Sequence, residues 1–448
     1  MSYICPVCIK EPVLQLILSQ AAKETEPCRY CQSGEPTVAI GVVADLCEKV
    51  IDTFYEPSTF KMAVVHFGRA PAGESLEELV ESLTGIPSKA AEDVSAELCE
   101  WWFDRDSHEH KYGDDPHFVL SEKRDSRLYA AWTEMEVSLR TEARYLNPSA
   151  SRFMDQLFSD IDSHVVDGVG SVLVEVGPGT ALPVLYRARV FQSEKDLEEA
   201  LQRPERELGA PPPGVGREGG RLNSPGQPAF YGALADKTAI AEVRPPVGSL
   251  VTVAKFAITR PLKLLDLALL ERAQIKPDSS KFDPATIESV HRISMLRELA
   301  VRMTTPVMPD SQAHDYLITQ VIADYLATRP GISIDGILYP SVQVSNSDRR
   351  TSGNVVLFHK AAITERARNE APTADAEVRE YIDEAPGSYF SPRIRYLKVQ
   401  KPPSWLKNPG FMPEPTLELV RDGIEIHEIT AAKFETSMTR VQVLADLP

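Results

Sequence analysis

Gly219-Gly220-Arg221-Leu222-Asn223-Ser224-Pro225-Gly226-Gln227-Pro228-Ala229-Phe230-Tyr231-Gly232-Ala233, continued by Thr238-Ala239-Ile240-Ala241-Glu242, brings a cation, a phenol and a carboxylate into one short stretch of chain. Arg221 follows two residues without side chains, so a planar guanidinium fork can meet a phosphate or pyrophosphate unobstructed. Asn223-Ser224-Pro225-Gly226 reads as a turn, and Ala229-Phe230-Tyr231 as the strand it launches. Arg221 and Tyr231 are therefore expected to face each other across a bend. Asp236 to Val243 is Ala-rich and reads as a short helix carrying Glu242 at its end. Three polar groups then converge, in a pattern suited to holding and cutting a phosphate-bearing nucleotide.

Two further pieces extend the pattern. Downstream lie Asp335-Gly336-Ile337-Leu338-Tyr339-Pro340-Ser341 and Gly353-Asn354-Val355-Val356-Leu357-Phe358, and upstream lies Leu185-Tyr186-Arg187-Ala188-Arg189. In this order the pieces resemble the RES domain, whose motifs run Gly-Gly-Arg-Trp-Asn-x-Pro-Gly, Leu-Tyr-x-Ala and Ala-x-x-Glu, followed by a Ser-bearing element. The resemblance covers about 180–360, and Leu222 stands where that family usually has Trp. It implies an ADP-ribosyltransferase-like mixed sheet that binds NAD and cleaves its nicotinamide–ribose bond, as a phosphorylase or glycohydrolase. Arg221, Tyr231, Glu242 and Ser341 are then the catalytic set, with Arg187, Gly220, Asn223 and Tyr339 against the dinucleotide. Such a reaction passes through an oxocarbenium-like state that needs negative charge nearby, which Glu242 supplies. Ser341 is expected to fix the ribose or the acceptor. If inorganic phosphate is the acceptor, Arg187 is the expected second cation.

Cys5-Pro6-Val7-Cys8 and Cys28-Arg29-Tyr30-Cys31 form two Cys-x-x-Cys pairs, the spacing of a four-thiolate zinc module. Four thiolates close the coordination sphere, so the expected zinc is structural. Cys47 and Cys99 read as buried thiols.

The 448 residues exceed an ordinary single domain, and 43% hydrophobic content suffices for two or three cores. No apolar run is long enough to cross a membrane, and the Met1 end has no charged n-region before an h-region, so a cytoplasmic protein is expected. The net charge of −17 disfavours broad binding to nucleic acid or anionic membrane. From about 37 to 160 the chain reads as helical: Val42–Tyr55, Ser75–Leu83, Ser88–Phe103, Arg127–Leu146, then a restart after Pro148 toward Ile161.

The expected class is α+β, in three parts: a four-cysteine module (1–36), a helical domain (37–165) and a RES-like domain with a C-terminal extension (166–448). This layout is similar to proteins whose N-terminal part is related to HEPN helical domains. Arg105-Asp106-Ser107-His108-Glu109-His110 fits the HEPN ribonuclease pattern, making Arg105 and His110 an alternative centre, although its carboxylates would repel RNA. A nucleotide-binding interaction protein without turnover is the other alternative. Small RES proteins are toxins restrained by a partner, so an antitoxin or regulatory protein, and a homo-oligomer, are the partners the resemblance suggests. Near the C-terminus, Thr416 to Val441 has strand-like spacing around an expected Arg421-Asp422-Gly423 turn.

Overall fold

The computed structural model describes residues 2–31, 33–58, 70–113, 115–121, 126–144, 146–214, 219–274, 279–329, 331, 333–343, 352–364, 371–381, 388–397, 414–433 and 436–441. These divide into two compact units: 1–172 with 269–302, and 173–268 with 303–448.

In the first unit, Ile4, Cys5, Leu14 and Leu18 share one buried core with Val43, Ile51, Leu79, Leu98 and Phe118. The four-cysteine segment and the helices after it are thus packed together. A segment of 36 residues buries too little apolar surface to build a core alone. Helices Ile40–Phe54, Leu76–Thr84, Ser88–Trp102, Ser126–Thr141 and Pro148–Leu157 follow the apolar spacing read from the sequence. Leu76–Thr84 starts at a capping box, in which Ser75 and Glu78 satisfy each other's backbone N–H groups. Pro148 sits at the start of its helix, and Asn147 caps it by accepting from the Ala150 N–H at 3.0 Å.

The expectation of an all-helical 37–160 is corrected by a three-stranded antiparallel sheet. Its strands are Tyr55–Pro57, His117–Leu120 and Glu74–Ser75. These strands are two to four residues long, too short to show alternation in sequence.

The same unit takes in much of the helix Pro284–Thr304. Arg292 grips the Asp160 carboxylate there with two hydrogen bonds, at 2.8 and 3.2 Å. Burial pushes the neighbouring His164 below its ordinary range, and its Nε2 has no hydrogen-bond partner among the described residues. No helix among the described residues is long and apolar enough to cross a membrane.

The second unit is built on an eight-stranded mixed sheet, consistent with the α+β expectation. In chain order its strands are β1 (Leu173–Val176), β2 (Val184–Phe191), β3 (Phe230–Ala233), β4 (Leu250–Ile258), β5 (Leu262–Asp266), β6 (Gly336–Pro340), β7 (Gly353–Leu357) and β8 (Leu417–Glu428). They lie in the order β1-β5-β6-β7-β3-β2-β4-β8, and only β5 and β6 run parallel. Helix α1 (Asp236–Glu242) follows β3, and helix α2 (Gln312–Thr328) precedes β6.

One face of the sheet buries Leu185, Phe230, Phe256, Leu264, Val355 and Leu357 in a continuous core, with Phe230 and Phe256 edge to face at 5.1 Å. Strand alternation sends Tyr231, Tyr339 and Asn354 to the opposite face. Asn354 pairs with Tyr339 on one side and Ala233 on the other, while Tyr231 lies two residues from Ala233.

At the C-terminal end the expected Arg421-Asp422-Gly423 turn is corrected. β8 runs on through these residues, and the register against β4 shifts between the pairs Ala254–Ile424 and Phe256–Leu419. The extra residues form a bulge rather than a hairpin. Gly423 fits there because a Cβ would lie 2.8 Å from the Lys255 Cβ.

Candidate active site

The motif loop closes on itself. The Asn223 Oδ1 accepts from the Gly220 N–H at 3.0 Å and from the Tyr231 hydroxyl at 2.7 Å, and its Nδ2 donates to the Gln227 carbonyl at 3.0 Å. The Leu222 N–H donates to the Tyr231 oxygen at 3.1 Å. Both ends of the Asn223 amide are thereby engaged inside the loop, so this residue organises the loop rather than presenting a free group to a dinucleotide. Gly220 also differs from expectation. A Cβ there would lie 2.2 Å from the Tyr231 oxygen and 2.6 Å from Asn223 Oδ1, so the space it leaves is filled by this lock. Leu222, the departure from the family pattern, is buried at 3% exposure.

Helix α2 holds the loop from outside. Thr319 Oγ1 donates to the Arg221 carbonyl at 2.6 Å, and Gln320 Nε2 to the Gly220 carbonyl at 2.8 Å. The Arg221 guanidinium donates through Nη1 to the carbonyls of Met303 and Thr305, at 2.8 and 2.7 Å, and lies 5.5 Å from the Tyr316 ring centre. Its other N–H groups have no partner among the described residues.

Arg187 is bound differently. β2 and β3 pair at one position, Tyr186 with Ala233, and the Arg187 Nη1 donates to the Tyr231 carbonyl at 2.7 Å. Its guanidinium lies 5.5 Å from the Phe230 ring centre, and burial pushes it down to about 10, still cationic at neutral pH. Its placement against Phe230 and a backbone carbonyl gives it a partner in the sheet as well as a charge near the site.

Glu242, at the end of α1, meets the sheet from above. Its Oε1 accepts from the Ser341 hydroxyl at 2.5 Å and from Asn354 Nδ2 at 2.8 Å. Ser341 in turn accepts from the Gln343 N–H at 3.1 Å. The Ser341 proton is therefore directed at Glu242, where the sequence suggested a bond to ribose or acceptor.

Burial is the main cause that pushes the Tyr339 phenol well above its ordinary range, and the Glu242 charge adds to it; Tyr231 and Arg221 act on the same phenol. Burial likewise pushes Tyr231 up to about 12. Arg221, Tyr231, Glu242, Tyr339 and Ser341 thus occupy one neighbourhood. Both phenols stay protonated at neutral pH, and Glu242 is the carboxyl group beside them. Asn354, Thr319 and Gln320 were missed in the sequence. Asn354 was inside a quoted motif, but nothing in a run of buried strand residues marks which one reaches a carboxylate. Thr319 and Gln320 sit about a hundred residues from the loop they hold.

The alternative centre lies elsewhere. Arg105 and His110 belong to a hairpin made by Phe103–Asp104 and Glu109–His110, with Arg105 exposed and the His110 ring 5.0 Å from Phe103. Asp104, Asp106 and Glu109 crowd the same hairpin with carboxylates.

In the first unit the sulfur atoms of Cys5, Cys8, Cys28 and Cys31 all lie within 4.8 Å of one another. The separations of 3.7 Å (Cys5 to Cys8), 3.3 Å (Cys5 to Cys31) and 3.8 Å (Cys8 to Cys28) are far beyond a disulfide bond. They are close to the roughly 3.8 Å between thiolates at the corners of a zinc tetrahedron with 2.3 Å metal–sulfur bonds. The donor set fits a metal ion. Cys47 stands apart, fully buried, with its thiol pushed up to about 12 by burial, which leaves it unreactive.

No curated protein and no solved structure matches the chain. A RES domain is found at residues 184–379, which takes in every one of these site residues of the second unit.

Proposed function

We propose that the second unit binds NAD and cleaves its nicotinamide–ribose bond, transferring the ADP-ribosyl group to phosphate or water on an ADP-ribosyltransferase-like sheet. The observation that carries this reading is the meeting of Glu242, held by Ser341, with Tyr339, Tyr231 and Arg221 inside a RES domain. Glu242 stabilises the cationic ribose as neutral nicotinamide leaves. The free N–H groups of Arg221 take the pyrophosphate. Tyr231 and Tyr339 offer aromatic faces on one side of the sheet, and Tyr339 adds a protonated hydroxyl. Arg187 adds positive charge for an anionic acceptor.

The four thiolates hold a structural zinc. Four sulfur donors would leave a bound zinc no open position for water, so it would contribute folding energy to the first unit rather than chemistry. The whole chain is then a cytoplasmic toxin or effector, its RES part controlled by a partner protein or by the 37–165 helical, HEPN-related segment.

The test is incubation of the pure protein with NAD, with and without inorganic phosphate. Release of nicotinamide, with ADP-ribose 1″-phosphate appearing only when phosphate is present, supports the phosphorylase. Glu242→Gln should lower turnover by about 100-fold or more. An enzyme that releases no nicotinamide while NAD still raises its thermal midpoint is a binding protein instead.

A further inference from the structure

Strand β7, Gly353–Leu357, is buried at every position, and four of its five residues carry no polar side-chain atom. Asn354 is the exception, at 2% exposure. A buried amide is costly unless both of its ends are hydrogen-bonded, and a Val at this position would avoid the cost. Among the described residues the Asn354 side chain has one partner: Nδ2 donates to Glu242 Oε1 at 2.8 Å, while Oδ1 has none. An asparagine serving the fold would bond at both ends, as Asn223 does. This one acts solely as a donor to a carboxylate.

The carboxylate is held unevenly as a result. Oε1 receives two protein hydrogen bonds, from Ser341 and from Asn354, while Oε2 has no donor among the described residues. Two donors from different strand ends converge on one oxygen, restrain the carboxylate through it, and leave the second oxygen available to accept from a ligand.

The geometry points to Asn354 as a positioning residue that acts through Glu242, setting the carboxylate so that Oε2 is the atom facing the nicotinamide ribose. This rests on the NAD-cleaving reading. An amide is suited to the task because it donates without titrating, and β7, hydrogen-bonded on both sides, gives it a rigid base.

The test is a double-mutant cycle on NAD turnover. Asn354→Ala should lower kcat by about 10- to 100-fold, the worth of one hydrogen bond to a charged group, with KM for NAD changed less than about threefold. Glu242→Asp withdraws the carboxylate by one methylene from the reach of Asn354. In that background, Asn354→Ala should cost less than about threefold. Equal losses in both backgrounds would mean that Asn354 serves the fold generally, and the inference falls. Should the alanine variant not fold, Asn354→Asp replaces it. Its side chain has the same shape, but it loses the donor and sets a like charge against Glu242, so it should lose at least as much; full turnover by that variant would overturn the assignment. A wild-type protein that releases no nicotinamide removes the NAD-cleaving reading itself, which is distinct from an active enzyme whose cycle is additive.

Discussion

At the scale of single residues, the site is a set of side chains whose polar atoms are mostly engaged with one another. Tyr231 illustrates this: its hydroxyl donates to Asn223 and accepts from the Leu222 N–H, so a residue of the expected catalytic set also locks the loop that carries Arg221. The lock depends on the missing side chain of Gly220. Gly220→Ala would drive a methyl group into the Tyr231 oxygen and Asn223 Oδ1, and should destabilise the second unit by about 1–3 kcal/mol while abolishing NAD turnover. Thermal unfolding beside a nicotinamide-release assay checks both, and an unchanged midpoint would contradict the packing described. The proximity of Arg221, Tyr231, Glu242 and Ser341 was legible in sequence because each belongs to a short motif of fixed spacing. Their mutual hydrogen bonds were not, because spacing says nothing of which atom a side chain meets.

At the scale of elements, the long strands and helices announced themselves. Helices Ile40–Phe54 and Ser88–Trp102 run where their apolar spacing put them, and α1 ends at Glu242 as its composition suggested. Short elements did not, as the sheet around Phe118 shows, and the bulge at Arg421–Gly423 was mistaken for a turn because its residue types suit both. Helix α2 carries the clearest element-level consequence. Its Thr319 and Gln320 fix two successive carbonyls of the motif loop, so Gln320→Leu, leaving the Gly220 carbonyl without its donor, should cost about 1–3 kcal/mol. Urea unfolding would register the loss as a lower midpoint at constant slope. The same variant should also raise KM for NAD, since the guanidinium rides on that loop.

At the scale of the whole molecule, the chain comprises two units whose boundaries cross the expected ones, because 269–302 returns to the first unit after the second has begun. In the first unit, two of the four cysteines, Cys5 and Cys28, are part of the hydrophobic core that also buries Val43, Cys47 and Ile51 of the helix Ile40–Phe54. Metal binding and folding are coupled in such an arrangement. Metal analysis should find one zinc per chain, and Cys28→Ser or a strong chelator should lower the thermal midpoint of the first unit by at least about 10 °C. Full retention of helical signal and midpoint after complete metal removal would oppose a structural role.

The sequence by itself determined the motif residues, the four-thiolate set, the α+β class and the long elements, since these follow from residue type and local period. Only the tertiary structure decided that Asn354 and Ser341 share one oxygen of Glu242, that Asn223 and Gly220 serve the loop, and that the cysteine segment has no core of its own. The physical reason is the same in each case. A hydrogen bond or a packed contact between residues tens to a hundred positions apart depends on sheet order and strand register, which local sequence does not encode.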